Sequence, residues 1–179
     1  MGGERVPKNH PRIRVCGELD ELNSFIGLAR WALSQERGLG RLGSRLAVIQ
    51  KELLKMGADL AAPDKNGKRI LSPASGWTKR LEREIDDYSA PLPRLRRFIL
   101  PGGTQASALL HVVRSVCRRT ERSLAEASRE VTVHPEWPAY LNRLSDWLYT
   151  ASRWVNGKLG YSEKNGGSFA GNLSRRRAS

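Results

Sequence analysis

The sequence predicts an all-α bundle of about five helices, and three observations carry that prediction. Apolar residues recur at intervals of three and four along most of the chain, no alternating polar–apolar stretch of useful length competes with them, and Gly- or Pro-rich punctuation separates the periodic segments. The length of 179 residues suits one domain with a single core and no need of disulfide or metal staples.

The elements follow in order. Leu19, Leu22, Ile26, Ala29 and Leu33 predict a helix over about 18–35, ended by Gly38, Gly40 and Gly43. Asp20 and Glu21 then fall in its opening turn, where the helix dipole favours negative charge; an ion pair between Asp20 and a distant arginine is the alternative. Leu46, Ile49, Leu53 and Met56 give a second helix to Gly57, and Pro63-Asp64-Lys65-Asn66-Gly67 is a strong loop signal that closes a helical hairpin. Trp77, Leu81, Ile85 and Tyr88 mark a weaker third helix, stopped by Pro91 and Pro93 before the short apolar run Phe98-Ile99-Leu100. Pro101-Gly102-Gly103-Thr104 supplies a turn and an N-cap for a long helix to about Glu130. A final helix spans about Glu136 to Lys158. Residues 1–159 are expected to form the bundle domain, and 160–179, ending in Arg175-Arg176-Arg177, a flexible basic tail.

Charge narrows the function. The formal net charge is +13, with 23 arginines against 8 lysines, so an anionic partner is expected, and phosphate suits the planar guanidinium fork. Two cysteines, Cys16 and Cys117, and three histidines, His10, His111 and His134, are too few for a zinc cluster or a disulfide scaffold. No apolar run approaches a membrane span and the Met1-to-Val6 start has no signal-peptide core, which predicts a cytoplasmic protein without membrane contact.

Two helix faces carry chemistry. In the fourth helix Leu109, Val112, Val113, Val116 and Leu124 share a sector, while Arg114, Arg118, Glu121 and Arg122 gather opposite. Arginines at i, i+4 and i+8 repel one another unless anions lie among them, as a triphosphate or partner carboxylates would; a solvated basic face braced by Glu121 is the plainer alternative. In the last helix Leu141, Leu144, Leu148, Ala151 and Val155 face the core, and Asn142, Asp146, Tyr149 and Arg153 line the other side, a set able to hydrogen-bond a nucleotide. Trp147 and Trp154 are expected in the core or at a subunit contact. Gly102-Gly103 is a turn or a phosphate nest, and His111 a packed residue or a base.

Three blocks then stand out together: Lys8-Asn9-His10-Pro11-Arg12 with Gly17-Glu18-Leu19-Asp20-Glu21-Leu22-Asn23-Ser24; Phe98-Ile99-Leu100-Pro101-Gly102-Gly103 through Arg118-Arg119-Thr120-Glu121-Arg122; and Tyr140-Leu141-Asn142-Arg143-Leu144-Ser145-Asp146. In order and spacing the chain resembles the PduO-type ATP:cob(I)alamin adenosyltransferases from about Lys8 to Asn156. That resemblance implies a ferritin-like five-helix bundle assembled as a homotrimer, with ATP and a corrinoid bound between subunits and the adenosyl group transferred from ATP to cobalt.

By position, Lys8, Arg118, Arg119, Thr120, Glu121 and Arg122 resemble the family's ATP-polyphosphate contacts and Asn142 its nucleotide contact. Asp20 and Arg114 resemble a charge pair supporting the corrinoid site, and Phe98 the aromatic that occupies the lower cobalt face. Mg²⁺ bridging phosphate oxygens, a corrinoid reductase and an adenosylcobalamin-dependent enzyme are the implied cofactor and partners. The family also has a Thr-, Gly- and Asp-containing phosphate-wrapping segment upstream of the Lys8 block, which Met1-Gly2-Gly3-Glu4 does not match, and Arg14 and Cys16 depart from its usual residues. Lys8 and the arginine run are then expected to hold the triphosphate alone, at a greater loss to turnover than to binding. The rivals are a non-catalytic corrinoid- or ATP-binding trimer and, ranked last for want of any reading element, a basic helical nucleic-acid binder.

Overall fold

The computed structural model describes residues 6–61, 76–95 and 97–163. The Pro63–Gly67 loop, the first five residues and the tail from residue 164 lie outside the described residues. Five helices follow in order: α1 (Pro11–Ser34), α2 (Gly40–Ala61), α3 (Trp77–Ser89), α4 (Gln105–Ala127) and α5 (Glu136–Lys158). Among the described residues the only extended pairing is a single bridge at Ile99. Helix α4 packs against both α1 and α5, α2 lies on α1, and α3 on α5.

Local chemistry explains where the helices start. Pro11 opens α1 with its fixed φ, and the His10 ring accepts from the Arg12 amide at 3.2 Å. The helix therefore begins well before residue 18, with Val15 already buried, and Asp20 and Glu21 sit in its interior. The expected dipole role for those two acids is thereby removed. Gly38, at φ +83°, makes the α1–α2 turn, whereas Gly40, Gly43 and Gly57 are all absorbed into α2. Thr104 caps α4 as expected, its hydroxyl accepting from the Ser107 amide at 3.3 Å. The same helix closes at Ala127 on a Ser128 cap rather than at Glu130.

The core is aliphatic around α1, α2 and α4 and aromatic around α3 and α5. Trp77, Trp137 and Tyr140 form a tilted cluster with ring centroids 5.8–6.3 Å apart. Trp147 is fully buried, with its indole N–H on Glu84 at 2.8 Å. Trp154 packs half-buried on Tyr88 at 5.0 Å. Trp147 thus belongs to the core, and Trp154 packs at its border.

The polar centre of this core is Glu52 on α2. Its carboxylate accepts the Tyr140 hydroxyl at 2.6 Å and the Arg80 guanidinium, with Arg45 Nη1 at 3.8 Å. Arg45 in turn binds Glu84 through Nε at 2.7 Å. These side chains join α2 to α3 and α5. Glu52→Ala would strand the Arg80 guanidinium and the Tyr140 phenol without their acceptor, which should cost about 3–5 kcal/mol in chemical denaturation. Glu52→Gln, which keeps the shape and one carbonyl acceptor, should lose less.

Candidate functional site

The outer surface of α4 is a basic strip closed on one side by α5. Arg118 and Arg122 are exposed, and among the described residues neither pairs with a carboxylate. Glu121, half-buried beside them, accepts from Asn142 Nδ2 of α5 at 2.8 Å. That bond joins the two polar faces marked out by the sequence. Asn142 keeps its second N–H and its carbonyl oxygen for a ligand.

Helix geometry sorts the rest of the Arg118–Arg122 run. Arg119 reaches α1 and pairs with Glu21, so Glu21, rather than Asp20, is the acid that meets a distant arginine. Thr120 is 0% exposed and turns inward, its hydroxyl donating to the Val116 carbonyl at 3.1 Å. It packs between α4 and α1 and presents nothing to a nucleotide. Val112, predicted to be core, is 41% exposed and belongs to the outer strip.

Val112 finds its place in a cleft of roughly 520 Å³. Pro101, Ala108 and Val112 give it an apolar wall, and Arg119 and Arg122 a cationic end. Such a lining suits a ligand with one anionic end and one less polar body. Phe98 and Lys8 do not line it: Phe98 is 80% exposed on the α3–α4 connection, and Lys8 sits in the turn before α1.

The implied Asp20–Arg114 pair does not form within the chain. Asp20 is exposed, and Arg114 lies over the Tyr149 ring of α5, its Cζ 5.4 Å from the centroid. Tyr149 is met edge-on by His111 at 6.1 Å. Asp146 pairs with Arg143 at 3.0 Å, and Arg153, expected on the polar face, is instead buried against Glu163 at 3.0 Å.

His111 is a packed residue, its Nε2 in a hydrogen bond with the Ser152 hydroxyl at 3.2 Å, and that hydroxyl also lies 2.7 Å from the Tyr149 carbonyl. Burial, and then the neighbouring Arg114 charge, lower the His111 pKa from 6.5, with Glu163 opposing.

Gly102-Gly103 forms a turn in which the Gly102 carbonyl and the following Thr104 amide are already taken. Asn156 of α5 donates from Nδ2 to the Gly102 carbonyl at 3.1 Å, while its Oδ1 accepts the Thr104 amide at 3.1 Å and the Thr104 hydroxyl at 3.3 Å. A phosphate nest would need that Thr104 N–H free. Sequence reasoning missed Asn156, because its partners lie 52 and 54 residues away and helical periodicity carries no sign of them.

Comparison with known proteins gives a consistent picture. A family model described as cobalamin adenosyltransferase matches residues 1–155. The chain is 40% identical over 161 residues to a corrinoid adenosyltransferase of Bacillus subtilis (strain 168), covering 90% of this chain and 82% of that protein. It is 40% identical over 162 residues to a cobalamin adenosyltransferase of Cupriavidus metallidurans, covering 90% of this chain and 83% of the relative. Among solved structures, a phenylalanine-to-alanine variant of a PduO-type ATP:corrinoid adenosyltransferase from Lactobacillus reuteri, complexed with cobalamin and ATP, superposes with a TM-score of 0.84 at 34% identity over 92% of this chain and 90% of that one. An arginine-to-lysine variant from the same organism, complexed with ATP, gives a TM-score of 0.81 at 34% identity over 91% and 90% of the two chains.

The lowered His111 pKa ties stability to pH. Between that value and 6.5 the unfolded chain binds the extra proton, so the contribution is complete above pH 6.5 and drains away as pH falls. The urea-unfolding free energy of the wild type should therefore drop further between about pH 7.5 and about pH 5 than that of His111→Gln. Equal drops would show that His111 does not titrate differently on folding.

Proposed function

Because the chain belongs to the cobalamin adenosyltransferase family, we infer that it transfers the 5′-deoxyadenosyl group of ATP to the cobalt of a reduced corrinoid and releases triphosphate. The observation that carries this reading is the α4 strip, where the unpaired Arg122 and the Glu21-bound Arg119 border an apolar-walled cleft, and the unpaired Arg118 lies on the α5 side, where Glu121 fixes Asn142.

Each residue has a task in that reaction. Arg118 and Arg122, with Lys8, hold the polyphosphate, while Arg119 contributes charge already half-committed to Glu21. Asn142 hydrogen-bonds the nucleoside. Phe98 lies against the lower face of the corrin, displaces the axial base and so makes cobalt easier to reduce. The cobalt electron pair attacks the ribose C5′, the C5′–O bond breaks, and the electrons leave with triphosphate. No proton moves in that step, so no protein nucleophile or base is required. What the protein supplies is alignment, exclusion of water and stabilisation of the charge that accumulates on the leaving triphosphate.

Asp20 and Arg114, unpaired with each other inside one chain, would meet across a subunit boundary in a homotrimer that shares its sites. The described residues hold no group of three or more His, Cys, Asp or Glu side chains that could cage a metal. An Mg²⁺ ion arriving with the nucleotide would share with the α4 arginines the neutralisation of the phosphate charge. No described helix is long and apolar enough to cross a membrane, and the cytoplasm, with a corrinoid reductase upstream and an adenosylcobalamin-dependent enzyme downstream, is the setting this chemistry fits.

The decisive experiment mixes the chain, ATP and a chemically reduced corrinoid without oxygen and looks for the light-sensitive cobalt–carbon product; its absence would overturn the assignment. Arg118→Ala should weaken ATP binding and slow transfer by about 2 kcal/mol or more, through loss of a charge-assisted phosphate contact. Wild-type affinity and rate in that variant would remove Arg118 from the site. Phe98→Ala should keep ATP affinity yet lose the four-coordinate form of bound cob(II)alamin, which absorbance and electron paramagnetic resonance both report.

A further inference from the structure

We propose that Asn156 is a positioning residue for Phe98, acting as the foot that fixes the arch on which Phe98 is presented; this rests on the role given to Phe98 above. The arch runs from Pro93 to Thr104, and both of its ends are tied to one turn of α5. At the first end Arg153 Nη2 donates to the Pro93 carbonyl at 3.0 Å, with Arg153 itself locked by Glu163. One turn on, Asn156 makes its three bonds to Gly102 and Thr104. The fit is close: Gly103 has φ +104°, and a Cβ there would fall 2.3 Å from Asn156 Oδ1.

Between its feet, among the described residues, Ile99 is half-buried and makes a single bridge, while Phe98 is 80% exposed and Leu100 56%, so core packing does not hold the phenyl ring itself. Its position follows from that bridge and from the feet. Asn156 is itself 3% exposed, which makes its amide a fixed reference rather than a mobile surface group. The same amide accepts from Thr104, where the arch ends against α4, while the arginine-bearing helix itself is held by its packing on α1 and α5.

The amide chemistry gives a test that a merely structural residue would not pass. In Asn156→Asp an ionised carboxylate still accepts from Thr104, but it turns lone pairs toward the Gly102 carbonyl where Nδ2 donated. Once protonated, the new carboxyl donates there again. Charged and titratable neighbours are Arg153, Tyr161 and Glu163, so every value is taken relative to wild type at the same pH. The readout is the fraction of bound cob(II)alamin that is four-coordinate in the presence of ATP, beside ATP affinity measured separately.

Asn156→Ala should shift the four-coordinate equilibrium by at least about fivefold at every pH, the worth of one neutral hydrogen bond, with ATP affinity kept. Asn156→Asp should show a comparable defect at neutral pH and recover as pH falls through the titration of its carboxyl. A wild type that forms no four-coordinate cob(II)alamin would overturn the Phe98 reading itself. A wild type that forms it, with Asn156→Ala its equal, would overturn the positioning role. Loss of ATP affinity in step with the coordination change, or an Asn156→Asp defect that does not recover in acid, would overturn it too. If Asn156→Ala does not fold, Asn156→Asp decides alone, with circular dichroism across the pH range showing that the fold is constant.

Discussion

The carboxylate of Glu52 is the constraint on which the arrangement of helices depends. Helix α2 packs closely only on α1, yet its Glu52 reaches Arg80 on α3 and Tyr140 on α5. A buried charge of this kind tolerates little displacement, because any gap in its shell leaves charge unsolvated in a low-dielectric interior. Burial, and then the charge of Glu52, hold the Tyr140 phenol well above its ordinary pKa, so that hydroxyl remains a donor. Tyr140 opens the α5 segment whose next turns carry Asn142, Tyr149, Arg153 and Asn156. A polar contact on one side of α5 thus sets the rotation of the helix that supplies the α4 strip and the Phe98 arch with their fixed partners.

Rotation also decides which arginines are available. Advancing 100° per residue, α4 turns Arg118 and Arg122 outward, swings Arg119 toward α1, and carries Thr120 into the interior. One short run is thereby split into two free cations, one committed cation and a packing residue. The free pair is costly to leave unneutralised at helical spacing, and that cost is lifted when a polyanion lies between them. Val112 and Pro101 complete the logic by offering apolar area next to the charge, where a purely solvated basic face would have none to spare.

Most of the fold was legible in the sequence because amphipathic spacing and turn residues act locally. All five helices, the Thr104 cap and the two opposed faces of α4 and α5 follow from them. The start of α1 was missed because Pro11 favours a first helical position without belonging to any apolar repeat, and the glycines of α2 were misread as breaks although an amphipathic helix can absorb them. Interactions set by tertiary contact were not legible: Glu52 appears as one more charge on a helix, and Asn156 as an amide near a helix end. The same limit misassigned Arg153, whose carboxylate and carbonyl partners come from beyond α5 and from the arch. The candidate site residues come mostly from the block resemblance, since periodicity shows a basic face but cannot say what it binds.

Taken with the proposed reaction, the exposure of these residues has a physical consequence. Phe98, Asp20, Arg118 and Arg122 all lie at the surface of a single chain, and the α4 cleft opens to solvent beside them. Cobalt reduced to its supernucleophilic state reacts with protons as well as with carbon, so water must be kept from it while ATP is attacked. Among the described residues of one chain, no element covers that face. In the proposed homotrimer the corrinoid, pressed on Phe98, would cover one side, and a second chain, bringing Asp20 to Arg114, the other. On that proposal assembly would be part of the chemistry: the described helices bury their core within one chain, and a second chain would serve to keep water from the site.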